Sequence, residues 1–523
     1  MRAAFGLLLV VAALEAATRP SLLVLIVAEQ FRADYLDRYR SGFGPGGFQR
    51  LLKGGAVYRN CRYEYLATFP ASGAAVLATG AYPDRNGIVA ESWYDRAARR
   101  IVRAVEDPEH SLVGSAAQPT RPGASPRHLV GATLADQLRL ATGGRSRAIS
   151  ISLRDQTAVL LGGLGAEGCY WLDAAGQYIT SSYYTDTLPA WAAAFNRSHP
   201  VSRFRGRPWR ALEAKDTAPP LRLIDGKGPA AQEDFLATWL ASPFAMEEQF
   251  DFARQALDGE QLGLGGSSDV LVLSLSSLYW LGLETGADSP LMRDMILRLD
   301  RKLEEFFSRL DARYGADNVA IVFTATQGLI ETPEALQMEG IRAGRVSGEQ
   351  IGNTVNARLS AAFGRERYVE KYVFPSLYLR RQAVEHLAGA EVLRLAGEAA
   401  LAVWGVAGYL APDRSTSVLA PETAPLFARS IFPGRSGDLL LAYLPYYCEL
   451  YGDGRGVSTG SFYSYDTRVP LLLYGTPFRA ATFDQPVSPT DLAPTLAAAF
   501  EIPPPASATG RVLLEALQPA SPF

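Results

Sequence analysis

The chain has 523 residues, with 51 Lys+Arg against 54 Asp+Glu and a formal charge of −3. That balance excludes the basic excess or stripe of a nucleic-acid-binding protein, and 48% hydrophobic with 20% charged residues excludes a disordered chain. Only five of the basic residues are Lys, so no polybasic membrane segment is present, and the length allows three or four ordinary domains or one large α/β domain with insertions.

Residues 1–18 carry one early positive charge, a short apolar run (GLLLVVAAL) and small residues behind it. This is the pattern of a secretory signal peptide, and the run is too short to span a bilayer. The mature protein, residues 19–523, is therefore expected to be exported, periplasmic or secreted. No later segment reaches transmembrane length without charges; residues 387–411 are long and apolar, but Glu391, Arg394 and Glu398 make them an amphipathic helix. Cys61, Cys169 and Cys448 allow at most one disulfide, and no CxxC points to metal or redox work. The Arg-rich, Lys-poor usage has a bacterial look.

A continuous apolar run at 21–28 (SLLVLIVA) reads as a central parallel strand buried on both faces. Similar runs recur at 148–153, 269–276, 319–324, 439–444 and 469–474, with helical periodicity between them, clearest over 289–314. Alternating buried strands and helices predict an α/β sandwich around a mostly parallel sheet. The glycine-rich stretch 42–47 sits between two helical patterns and contains Pro45, so it is a turn rather than a phosphate loop. Residues 163–265 cluster aromatics without a βα rhythm and are read as an inserted cap, and 332–385 as a second insertion. Asn196-Arg197-Ser198 matches a glycosylation acceptor, a pattern common by chance.

The order of motifs resembles the alkaline phosphatase superfamily, in particular its nucleotide pyrophosphatase/phosphodiesterase branch and the phosphate-irrepressible alkaline phosphatases. The segments that carry the resemblance are LLVLIVAEQFRADYL, TFPASGAAVLATGAYPDRNGIVAESWYD, SLRDQTAVLLGG, VLVLSLSSLYWLGLETG, VAIVFTATQG and GSFYSYDTRVPLLLYG. The resemblance implies an alkaline-phosphatase-like fold. It also implies phosphate-ester hydrolysis with two zinc ions, held by Asp and His, and a Thr or Ser nucleophile between them. Such metals lower the pKa of nucleophile and water and clamp the oxygens of an in-line displacement.

Carried over residue by residue, that apparatus is replaced. The first metal Asp corresponds to Glu29, a carboxylate one methylene longer, and the nucleophile to Pro70, which has no nucleophilic atom. The phosphoryl-contacting Asn corresponds to Glu91, the Lys to Arg154 and the following Arg to Gln156. The Asp and His of the second cluster correspond to Tyr279 and Leu283, the Asp-His pair to Thr326 and Gln327, and the last His to Thr459. Zinc needs anionic oxygen or imidazole nitrogen, and the four histidines (His110, His128, His199, His386) lie in no matching motif.

The expectation is thus an exported, catalytically inactive member with no cofactor, binding a neutral or cationic small molecule, a peptide or a protein partner through the old cleft. The competing expectation is a rebuilt metal-dependent phosphoric ester hydrolase. In it, Glu29 and Glu91, with Asp95, hold one hard cation, and Thr68 or Ser72 supplies a hydroxyl; helix capping is the plainer role of those two. Pairing with an active relative stays open.

Overall fold

Seven consecutive apolar residues, Leu22–Ala28, are all buried, and the strand they form has parallel neighbours on both sides, Asp269–Leu275 and Val319–Thr324. A strand screened from water on both faces needs no polar alternation, which is why its sequence is a continuous apolar run. The computed structural model describes residues 19–115, 121–213, 217–226, 231–452 and 454–518. The proposed signal peptide, residues 1–18, lies outside them.

The central sheet has ten strands in the order 481–483, 56–62, 468–474, 319–324, 22–28, 269–275, 148–152, 168–172, 178–181, 112–113. It is parallel in the middle. Arg468–Tyr474 runs antiparallel to both of its neighbours, as Tyr178–Ser181 does to both of its own. The helix Pro290–Tyr314 begins where the Ser289 hydroxyl accepts the Met292 N–H, and buries Met295, Ile296, Leu299, Leu303, Phe306 and Leu310 along one face. This is the α/β sandwich expected.

Three local expectations are corrected. The run at 439–444 is a strand, Leu439–Tyr443, but belongs to a separate five-stranded sheet with Val369–Val373, Ser376–Leu379, Val406–Leu410 and Ser417–Val418. That sheet reaches well past the 332–385 stretch. The composite 387–411 is a helix only over Gly389–Leu401; a turn then leads to the strand Val406–Leu410. Residues 163–265 are not all cap, since Gly168–Leu172 and Tyr178–Ser181 extend the central sheet and the helix Pro243–Gly259 packs on two of its strands.

One glycine fixes the geometry beside the site. A Cβ on Gly73, in the helix Pro70–Thr79, would stand 2.2 Å from the Thr326 carbonyl oxygen. Helical glycine costs about 1 kcal/mol relative to alanine, and the close approach is what that cost allows. Gly73→Ala is expected to destabilise by about 2 kcal/mol despite its better helix propensity, read as a lowered urea midpoint; an unchanged or raised midpoint would show that the approach is not needed.

Candidate functional site

The strand Leu22–Ala28 delivers Glu29 at its C-terminal end, fully buried. Burying a lone carboxylate costs several kcal/mol unless it is paired and hydrogen-bonded, and here both oxygens are engaged. Glu29 Oε1 accepts from Thr157 Oγ1 at 2.9 Å, Ser274 Oγ at 3.0 Å and Ser276 Oγ at 2.5 Å, and Oε2 from the Arg154 guanidinium at 2.8 Å. The Arg154 side chain is 11% exposed. Its other amino group donates to Glu91 Oε2 and to Gln156 Oε1, and its guanidinium carbon lies 4.1 Å from the centre of the Tyr279 ring. Burial alone would weaken its charge, but Glu91, Tyr279 and Glu29 outweigh burial and raise its pKa well above the usual arginine value.

The anion position at the start of the helix Pro70–Thr79 is filled from within the chain. Pro70 occupies its first turn, where no N–H is needed, and Glu91 Oε1 accepts the Ala71 N–H at 2.8 Å. Gln156 Nε2 donates to the Glu91 carbonyl at 2.6 Å. A carboxylate thus sits at a helix N-terminus beside a guanidinium, an arrangement that would otherwise suit a phosphate. Neither hydroxyl near Pro70 is free: Thr68 Oγ1 donates to the Ser461 carbonyl, and Ser72 Oγ bonds the Phe69 N–H, its carbonyl and Tyr65 OH. Ser72 caps from the third helical position, while Phe69 stands at the N-cap. Asp95 turns away to cap the N–H groups of Ala97 and Ala98.

Tyr279 and Leu283 lie half-buried on the helix Ser277–Thr285, the former under Arg154. Thr326 and Gln327 are fully buried just past the strand Val319–Thr324, and the Thr326 hydroxyl and both Gln327 amide atoms have no hydrogen-bond partner among the described residues. Thr459, 8% exposed, lines a small cavity with Glu449 and Asp466. The structure therefore gathers Glu29, Glu91, Arg154, Gln156 and Tyr279 into one bonded cluster beside Pro70. The supporting hydroxyls of Thr157, Ser274 and Ser276 were not foreseen; the Ser-rich end of the Asp269–Leu275 strand was the signal for the last two. The histidines lie in other settings: His110 on Asp107 at 2.9 Å, His128 edge-on to Trp93, His199 stacked on Phe195 and His386 exposed. All three cysteines are free and buried.

The fold is that of an alkaline-phosphatase-like protein. The profile of the type I phosphodiesterase/nucleotide pyrophosphatase family matches residues 23–381, more than half of the chain. The chain belongs to that family of phosphoric ester hydrolases. It is 29% identical to alkaline phosphatase PafA of Elizabethkingia meningoseptica, over 96% of this chain and 95% of that one. To alkaline phosphatase PhoV of Synechococcus elongatus it is 28% identical, over 96% and 93%. The crystal structure of PafA superposes with a TM-score of 0.88, covering 96% of this chain and all of that one.

These relatives overturn the expectation of no cofactor. Kinship with named alkaline phosphatases along nearly the whole chain implies the two zinc ions of the family's active members. The residues at this place do not fit that pair. Both oxygens of Glu29 are taken, a guanidinium stands against it, and no group of three or more His, Cys, Asp or Glu side chains placed to hold a metal occurs among the described residues. The single-cation arrangement of Glu29, Glu91 and Asp95 is corrected for the same reason, because Arg154 lies between the first two and Asp95 caps its own turn.

Proposed function

We propose that this protein is a non-catalytic member of its family, exported by residues 1–18, whose former phosphate cleft serves as a binding site. The observation that carries the reading is the Glu29–Arg154–Glu91 cluster, with Pro70 at the nucleophile position. The cluster fills the anion position with a carboxylate and sets a fixed cation against the first-metal carboxylate. A phosphate ester entering here meets Glu91 and no attacking atom. The domain division belongs to the same proposal: one domain over 19–523, with the part of 163–265 outside the central sheet as an inserted cap and 332–385 as the start of a second insertion. Its occupant is a small molecule or protein ligand rather than nucleic acid, and no helix among the described residues is long and apolar enough to cross a membrane.

A second reading, hydrolysis of phosphate esters by a rebuilt site, is supported by the names of the relatives matched along nearly the full length. One assay separates the two. Purified protein with zinc is expected to turn over p-nitrophenyl phosphate and bis-p-nitrophenyl phosphate no faster than buffer. Saturable turnover that tracks the protein and vanishes in Glu29→Ala would establish the second reading instead.

A further inference from the structure

A partly open cavity with room for one water-sized group, about 10 Å³, is lined by Phe374, Tyr443, Glu449, Thr459, Tyr465 and Asp466 together with neighbouring small and apolar residues. Two of these are carboxyls from two neighbouring elements of the chain, and both are almost wholly buried: Asp466 is 2% exposed and Glu449 7%. Asp466 Oδ2 accepts from Ser461 Oγ at 2.5 Å, whereas Oδ1 has no partner among the described residues. Glu449 accepts from Tyr443 OH, which in turn bonds Tyr372 OH at 2.6 Å. Neither carboxyl makes an ion pair among the described residues; Arg32, whose charge acts on Asp466, is bonded to Asp34. Phe374 stacks on Tyr443 with ring centres 4.6 Å apart, so the carboxyls share the cavity with aromatic faces.

Two buried carboxyls without an ion-pair partner among the described residues, aromatic walls and space for one small group specify the complementary ligand. A water would fill the volume but leave the charge uncompensated. An –NH3+ group has nearly the size of water, brings three donors, one for the unpartnered Asp466 Oδ1, and is attracted by aromatic faces. We propose that this cavity seats the head group of a protonated primary amine, with Asp466 Oδ1 and Glu449 as its acceptors and the rings of Phe374 and Tyr443 against it. The proposal rests on the reading that the cleft binds rather than hydrolyses, since Thr459, at the last metal-ligand position, lines this same cavity.

The test is calorimetric titration of the full mature chain with methylammonium chloride, with tetramethylammonium chloride and sodium chloride as comparisons. Methylammonium is expected to bind saturably, and tetramethylammonium, which is larger and has no N–H, is not. Asp466→Asn and Glu449→Gln are each expected to weaken methylammonium binding at least tenfold, while Glu391→Gln, on an exposed helix pair with Arg394, leaves it unchanged. No saturable heat with the wild type, equal affinity in the two cavity variants, or equal binding of tetramethylammonium would overturn the proposal. Should Asp466→Asn fail to fold, Glu449→Gln decides alone. Phosphate-ester turnover is scored separately, so failure of the non-catalytic reading cannot be mistaken for failure of the amine site.

Discussion

Arg154→Met is expected to lower the stability of the protein by about 3–5 kcal/mol, the range for removing one partner of a buried ion pair. The size of the loss comes from what stays behind. Glu29 remains fully buried, and its Oε2 loses the guanidinium that is its only hydrogen-bond donor among the described residues. Glu91, 24% exposed, is partly rehydrated and keeps the Ala71 N–H, so it adds less. Methionine preserves much of the side-chain volume, which separates loss of charge from loss of packing. Adding Glu29→Gln should recover most of the loss, because the remaining amide is neutral and can still accept from Thr157, Ser274 and Ser276. Urea denaturation of the wild type, Arg154→Met and the double variant measures this. If the single variant unfolds at the wild-type midpoint, the cluster does not hold the cleft together. Arg154→Lys is expected to fall between, since an ammonium keeps the charge but cannot bridge two carboxylates with a planar fork.

That cluster was only half legible in the sequence. The replacements at Glu29, Pro70, Glu91 and Arg154 could be placed because the flanking strand and helix segments fix their positions. Their mutual bonding could not, since Arg154 reaches Glu29 across 125 residues and Glu91 across 63. The acidic residues therefore read as ligands for a loose cation, when the cation is covalently part of the chain. The central strands were legible for a simple reason: a strand buried on both faces is apolar at every position. The same signal misplaced Leu439–Tyr443, because an apolar run reports burial and not which sheet does the burying. The cavity around Asp466 had no signal of its own. Its acid stands in an ordinary SYDT turn, the helix Ser464–Thr467, and only the packing of the Leu439–Tyr443 and Tyr447–Glu449 strands brings Tyr443 and Glu449 to it.

The stability difference between Asp466→Asn and the wild type is expected to change with pH, moving in favour of the variant as pH rises from about 4 to about 7. Burial pushes the Asp466 carboxyl up to about 7; Ser461 and Arg32 pull the other way without offsetting it. In the unfolded chain the same group titrates near 4. Between those values the folded protein holds a proton that the unfolded chain has released. The contribution is fully present below about pH 4 and is lost as pH rises through 7. Three units at about 1.4 kcal/mol each set the limit at about 4 kcal/mol. Glu449, raised to about 7 by burial against the opposing bonds of Tyr443 and Gly348, should show the same sign in Glu449→Gln with a limit of about 3 kcal/mol. The raw profile of the wild type mixes these groups with His128, which burial and then Arg435 push down to about 4 and which therefore acts in the opposite direction over the same range. The difference between variant and wild type removes His128 from the comparison, so urea midpoints at pH 4.5, 6 and 8 suffice. A difference that is flat across them would mean that Asp466 is solvated in the folded state, and a solvated carboxylate would have no unmet demand for the amine. A difference that grows toward pH 7 would show that the cavity disfavours a bare carboxylate, which is the condition under which a bound –NH3+ has most to contribute.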